Sequence, residues 1–254
     1  MIMGYLRFIW TLIVVIILFT LSIPLLLIDL LVGVFSMDLR DRLTMFIVHV
    51  AFRVILFVSG TRLHVTGFEN IPKDEPVLYI GNHRSFFDVL TSYSLFPKIT
   101  SFIAKKEFKP VPFLSWWMMV LHNLFLDRKD IKQGMKIILK AIEYVKGGMS
   151  ICIFPEGTRN RTEEDILPFH EGSFKIADKT NCAIIPMTMY NMSAMLEDHF
   201  PKVISSDVYI DFGKPVYPND LSKEERKTLG SYVRNIMLEK YKELKDIHEK
   251  SNAK

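Results

Sequence analysis

The 254-residue chain carries 32 Lys and Arg against 28 Asp and Glu, a formal net charge of +4. That balance is too weak to argue for nucleic acid and suits an anionic substrate or an anionic membrane surface. Hydrophobic residues make up 49% of the chain but charged ones still 24%, so most of it is not lipid-embedded, and two cysteines, Cys152 and Cys182, exclude a disulfide framework and read as buried thiols of a reducing compartment.

Residues 8–28 contain no charge. At about 1.5 Å per residue the run reaches about 31 Å, enough to cross the hydrocarbon core. Arg7 flanks it on one side and Asp29 on the other, and Pro24 predicts a kink. A cleaved signal peptide does not fit, because the run is too long and no small-residue cleavage site follows. A second apolar run, 43–58, is broken by His49 and Arg53. Two arrangements remain open: the first run spans and the second lies along the interface, or the two form a hairpin dipping into one leaflet. Arg40, Arg42 and Arg53 outnumber Arg7, which favours a cytoplasmic catalytic part.

From residue 61 the composition is globular. Strands are expected at 62–66, 77–80, 100–104, 123–126, 150–154, 183–190 and 207–212. Helices are expected at 86–95, 131–146 and 172–180. The clearest keeps Met135, Ile138, Leu139, Ile142 and Val145 at helical spacing, with Asp130 as its cap and Gly147-Gly148 as its stop. A last helix, 223–250, opens on the capping box Ser222-x-x-Glu225. Alternating strands and helices give an α/β class: a largely parallel central sheet flanked by helices. The N-terminal membrane-anchoring segment takes residues 1–60 and the α/β domain residues 61–254.

Three segments carry the chemistry. Asn82-His83-Arg84-Ser85-Phe86-Phe87-Asp88 stands between a strand and a helix. On a continuous helix His83 and Asp88 would point about 140° apart, so they meet only if His83 sits on the preceding loop. An imidazole held by a carboxylate is a general base. The same spacing, Ser85-x-x-Asp88, also fits a capping box in which Asp88 merely closes a turn. Phe154-Pro155-Glu156-Gly157-Thr158-Arg159-Asn160-Arg161 follows another strand, where α/β sheets place ligands. Its arginines match a phosphate in charge and geometry, unless they pair with Glu163, Glu164 or Asp165 as an ordinary polar turn. Leu126-Asp127-Arg128-Lys129-Asp130 offers Arg128 as a second phosphate contact, or is a plain strand-to-helix junction. Lys105 and Lys106, after a further strand, face phosphate or solvent. There is no HExxH, no Cys/His cluster, no P-loop, no GxGxxG and no GxSxG elbow, so neither a metal nor a serine acyl-enzyme is indicated.

Taken in order, these segments resemble the membrane-bound glycerolipid acyltransferases, most closely the 1-acyl-sn-glycerol-3-phosphate acyltransferase (lysophosphatidic acid acyltransferase) family. Its N-H-x-x-x-x-D block is matched by Asn82, His83 and Asp88. Its G-N-L-x-I-D-R block is matched by Asn123, Leu124, Asp127 and Arg128. Its F-P-E-G-T-R-S-R block is matched from Phe154 to Arg161 with Asn160 in the serine place, and its V/I-P-V strand by Ile185-Pro186-Met187. His122 stands where the second block usually has glycine, a departure that bears on the acceptor more than on the chemistry. The resemblance implies that His83 and Asp88 are catalytic and that Glu156 and Arg159, with Arg128 as a further candidate, bind the glycerol phosphate; Gly157 and Thr158 of the same block, and Lys105 by its place after a strand, complete the expected substrate-binding set. It implies transfer of a fatty acyl group from acyl-CoA or acyl carrier protein to the sn-2 hydroxyl of lysophosphatidic acid, giving phosphatidic acid in phospholipid biosynthesis. No cofactor beyond that co-substrate is implied, and the partners are membrane lipid and not nucleic acid. The alternatives are another lysophospholipid or glycerol 3-phosphate as acceptor, a transacylase, and a catalytically inactive lipid-binding module.

Overall fold

The structure is a computed structural model and describes residues 2–253. Two helices come first, α1 (Ile2–Phe35) and α2 (Met37–Val58), with Ser36 alone between them. Ser36 caps α2 by accepting from Leu39 N. Pro24 lies inside α1, which among the described residues is the one helix long and apolar enough to cross a membrane by length and composition. The expected second apolar run is the latter part of α2. The helices fold back on each other. Thr44 Oγ1 donates to the buried Asp29 at 2.9 Å, and Arg7 of α1 approaches Gly60, just past the end of α2.

The remainder is an α/β sandwich with the strand order β1-β7-β6-β2-β5-β3-β4. The strands are β1 (Arg62–Thr66), β2 (Val77–Gly81), β3 (Thr100–Lys105), β4 (Leu124–Leu126), β5 (Ser150–Ile153), β6 (Ala183–Tyr190) and β7 (Asp207–Phe212). Every pairing is parallel except β6 with β7. β2 is buried throughout, and alternation divides its side chains between two cores. Tyr79 packs with α2 and with α3 (Phe87–Leu95). Leu78 and Ile80 pack with α5 (Ile131–Lys146), α6 (Lys175–Thr180) and α8 (Leu229–Asn252). Full burial of each such side chain contributes about 1.5–3 kcal/mol, which holds the central strand and whatever follows its end.

Asp130 caps α5 through Gln133 N at 3.0 Å, and the Ser222–Glu225 capping box is present. The last helix departs from expectation. It is two elements, α7 (Lys223–Lys227) and α8, separated by Thr228. The stretch 172–180 begins as a 3₁₀ turn before α6. A short helix, α4 (Leu114–Val120), lies where none was expected. It meets the N-terminal pair: Trp117 Nε1 donates to Ser22 Oγ at 3.0 Å, and Leu26 joins Trp117 and Val120 in a small apolar cluster. The pair also touches the α/β domain at both extremes. Val203 N donates to Gly4 O at 3.1 Å, and Arg40 lies 3.0 Å from His122 Nε2. α1 therefore lies along the domain.

Candidate active site

β2 ends at Gly81, and Asn82 ties off the strand with its side chain. Its Nδ2 donates to Met189 O and its Oδ1 accepts from Met189 N, both at 2.8 Å. The amide thus imitates a backbone unit beside β6 and lets the main chain turn away. His83 falls on this turn, as a meeting with Asp88 requires, and its Nδ1 lies 2.8 Å from Asp88 Oδ2. A carboxylate only accepts, so Nδ1 carries the hydrogen and Nε2 is the nitrogen left to act as base.

Asp88 also closes the turn. Its Oδ2 accepts from Arg84 N at 2.7 Å and from Ser85 N at 2.8 Å. The carboxylate that closes this turn also orients the imidazole, while the other half of the expected capping box is not formed: Ser85 Oγ accepts from Phe87 N and donates to Glu197. Asp88 is 1% exposed, so its charge acts on His83 with little screening by water.

The loop after β5 supports His83 from below and behind. Phe154 lies flat against the imidazole, and Asn160 N donates to His83 O at 2.7 Å. Glu156 is buried. One of its oxygens accepts from His83 N at 2.6 Å and the other from Leu167 N at 3.0 Å. Both oxygens of this residue, expected on the acceptor, thus meet backbone. Burial pushes its carboxyl up to about 7, although both N–H donors pull the other way. Gly157 has φ +70°, and a Cβ there would meet His170 Nε2 at 2.9 Å, so this turn requires glycine. Thr158 is exposed beside it. Arg84 donates to the carbonyls of Thr162, Glu164 and Asp165, stapling the two loops together.

Arg159 lies over the Phe86 ring, 3.9 Å from its centroid, with Nη1 3.4 Å from Glu197. Arg159 and the His83–Asp88 pair thus meet at the start of α3. Arg128 and Lys105 stand farther along the same rim, both exposed, after β4 and at the end of β3. The strand order puts β4 three places from β2, roughly 14 Å at the usual strand spacing. Neither residue makes a hydrogen bond or ion pair with His83, Asp88 or Arg159 among the described residues. Lys106 is paired with Asp127.

Two participants lay outside the sequence motifs. Glu197 comes from a 3₁₀ turn, residues 197–199, in the connection between β6 and β7. Leu167 N supplies the second donor to Glu156. No spacing rule points to either. His122 has φ +58°, which explains why glycine suits this position. Here the imidazole reaches Arg40 and also Asp41, at 3.1 Å, so the residue joins the helical pair to the domain.

The family profile described as "Acyltransferase" matches residues 62–190. The chain belongs to the acyltransferase family. Among its relatives, the 1-acyl-sn-glycerol-3-phosphate acyltransferase of Borreliella burgdorferi is 32% identical over 204 residues, which cover 80% of this chain and 81% of that one. The enzyme of the same name from Saccharomyces cerevisiae is 31% identical over 195 residues, covering 76% of this chain and 64% of the yeast protein. The crystal structure of the 1-acyl-sn-glycerophosphate (LPA) acyltransferase PlsC from Thermotoga maritima superposes with a TM-score of 0.75. It covers 94% of this chain and 99% of the other at 23% identity, a likeness of fold. In this acyltransferase the matched segment, 62–190, contains His83, Asp88 and the whole Phe154–Arg161 loop, but ends before Glu197.

Proposed function

We propose that the chain is a 1-acylglycerol-3-phosphate O-acyltransferase. It moves a fatty acyl group from a thioester donor, acyl-CoA or acyl carrier protein, to the sn-2 hydroxyl of 1-acyl-glycerol 3-phosphate, and the product is phosphatidic acid. The observation that carries this is the His83–Asp88 contact on a loop braced by the arginine-bearing segment. His83 Nε2 takes the proton of the acceptor hydroxyl as its oxygen attacks the thioester carbonyl. Asp88 stabilises the imidazolium that forms. The carbon–sulfur bond breaks, and the imidazolium returns the proton to the departing thiolate. No acyl-enzyme forms and no metal or cofactor enters the step. A base of this kind supplies about 10²–10⁴-fold, and alignment of two bound substrates supplies much of the rest.

In the same proposal Arg159 holds the acceptor phosphate. Arg128 and Lys105 lie far enough along the rim to meet the anionic part of the donor or a neighbouring lipid head group. Glu156, with both oxygens on backbone N–H groups, serves the acceptor through His83. The α1–α2 pair, which touches the domain at both extremes, dips in this proposal into one leaflet, with the domain on the cytoplasmic side. Both acyl chains then stay in lipid while the hydroxyl and thioester meet at the rim of the sheet.

The test is direct. Purified full-length protein in detergent should consume acyl-CoA or acyl carrier protein thioester together with lysophosphatidic acid and yield phosphatidic acid, and His83→Ala should abolish this. Thiol release without any acceptor, or none with any acceptor, would overturn the assignment.

A further inference from the structure

Glu197 lies beyond the motif segments, 38 residues after Arg159, and makes three contacts that converge on the candidate site. One oxygen accepts from Ser85 Oγ at 2.7 Å. The other accepts from Phe86 N at 2.8 Å and from Arg159 Nη1 at 3.4 Å. The side chains of Arg159 and Glu197 are 22% and 21% exposed, so the pair is more enclosed than the surface ion pairs whose contribution is near zero. The turn that presents Glu197 is itself fixed. Met195 before it is fully buried, and Ile204 N donates to Met195 O at 2.9 Å.

We infer that Glu197 is a positioning residue for the acceptor, one carboxylate that sets Arg159 and the His83-bearing turn at a fixed separation. This rests on the assignment of Arg159 to the acceptor phosphate. Through Phe86 N, Glu197 fixes the aromatic platform under Arg159. Through Nη1 it fixes one edge of the guanidinium. Through Ser85 it reaches the turn that Asp88 closes around His83. An arginine has five N–H donors in a rigid fork. Arg159 makes no other hydrogen bond among the described residues, so the rest of the fork can receive a phosphate. The sn-2 oxygen and the phosphorus of the acceptor are separated only by C2, C3 and the ester oxygen. The base and the phosphate ligand must therefore keep one spacing, and Glu197 is the residue that touches the support of both.

Full-length protein in detergent micelles tests this with four variants: Glu197→Ala, Glu197→Gln, Arg159→Ala and the Arg159→Ala/Glu197→Ala double. The amide oxygen of Gln can still accept from Phe86 N and Arg159, and its NH2 can donate to Ser85 Oγ. Glu197→Ala should raise the lysophosphatidic acid KM about tenfold, the loss expected for one charge-assisted contact. The donor KM should stay unchanged. Glu197→Gln should restore most of the acceptor KM. In the Arg159→Ala background, removing Glu197 should add nothing further. Should Glu197→Ala fail to fold, Glu197→Asp, which withdraws the charge by one methylene, is read in the same way. The inference is overturned if acceptor and donor KM rise together, if the acceptor KM does not move, or if the effect persists undiminished without Arg159. If Arg159→Ala itself leaves the acceptor KM unchanged, the assignment of Arg159 fails and this inference falls with it. A loss seen on removing Glu197 from wild type and absent in the Arg159→Ala background is the supporting result.

Discussion

The His83 imidazole lies on the Phe154 ring with centroids 4.4 Å apart and 11° between the planes. Gly81 makes room for this stack: a Cβ there would sit 2.7 Å from Phe154 Cε1 and 2.9 Å from Met187 Cε. Gly81→Ala should therefore push the ring out from beneath the base. The expected cost is about 1–3 kcal/mol of stability, as for an overpacked core, read in a denaturant melt, together with a fall in kcat. A variant with wild-type kcat would show that the stack does not place the imidazole.

Asp88→Asn keeps an oxygen for the loop N–H groups but removes the charge that stabilises the imidazolium. The kcat should fall by about 10²–10⁴-fold, the whole contribution of a positioned base, while both KM values stay within a few-fold. Steady-state kinetics with donor and acceptor varied separately reads this split.

Glu156→Gln separates two roles. If the carboxyl acts through the backbone of His83, kcat falls and the acceptor KM stays near wild type; a rise in acceptor KM alone would return Glu156 to the phosphate.

The same residue has a pH signature. Its carboxyl titrates near 7 in the folded protein, above its ordinary value of 4.5. The stability associated with the neutral form is complete below the unfolded value. It is lost as pH rises through the folded one. Urea melts between those limits should show stability falling with rising pH, and the slope should be shallower in Glu156→Gln. Equal slopes would mean the carboxylate is already charged when buried.

Arg159→Lys keeps the charge but loses both the planar contact with Phe86 and the fork. The acceptor KM should rise about tenfold, because a lysine at a stacked, bidentate position is not a conservative change. An unchanged KM would remove the phosphate from this residue.

The strands were legible because apolar runs such as Val77–Gly81 and Ala183–Tyr190 are buried almost without interruption. The base and its orienting acid were legible because strand, turn and helix follow one another within a dozen residues. What escaped depends on distance in the chain. Glu197 reaches Phe86 across 111 residues from an irregular connection, and no periodicity marks it. α4 was hidden because Pro110 and Pro112 stand just before it and its seven residues are too few for a helical period to show. The break at Thr228 was hidden because Lys223–Lys227 carries no apolar residue: the capping box marks where that turn starts, and the apolar spacing begins only at Leu229. His122, conspicuous in the sequence for not being glycine, takes the left-handed backbone a glycine would have taken and adds a tie to Arg40.

The amide of Asn82 has one more consequence. By clasping Met189 it registers the catalytic turn against the far end of β6, the strand from which the chain departs toward Glu197. Two hydrogen bonds from one amide thus pin the turn that bears the base to the strand that leads toward Glu197. A single side chain at position 82 sets the common origin from which both supports of the pocket are built.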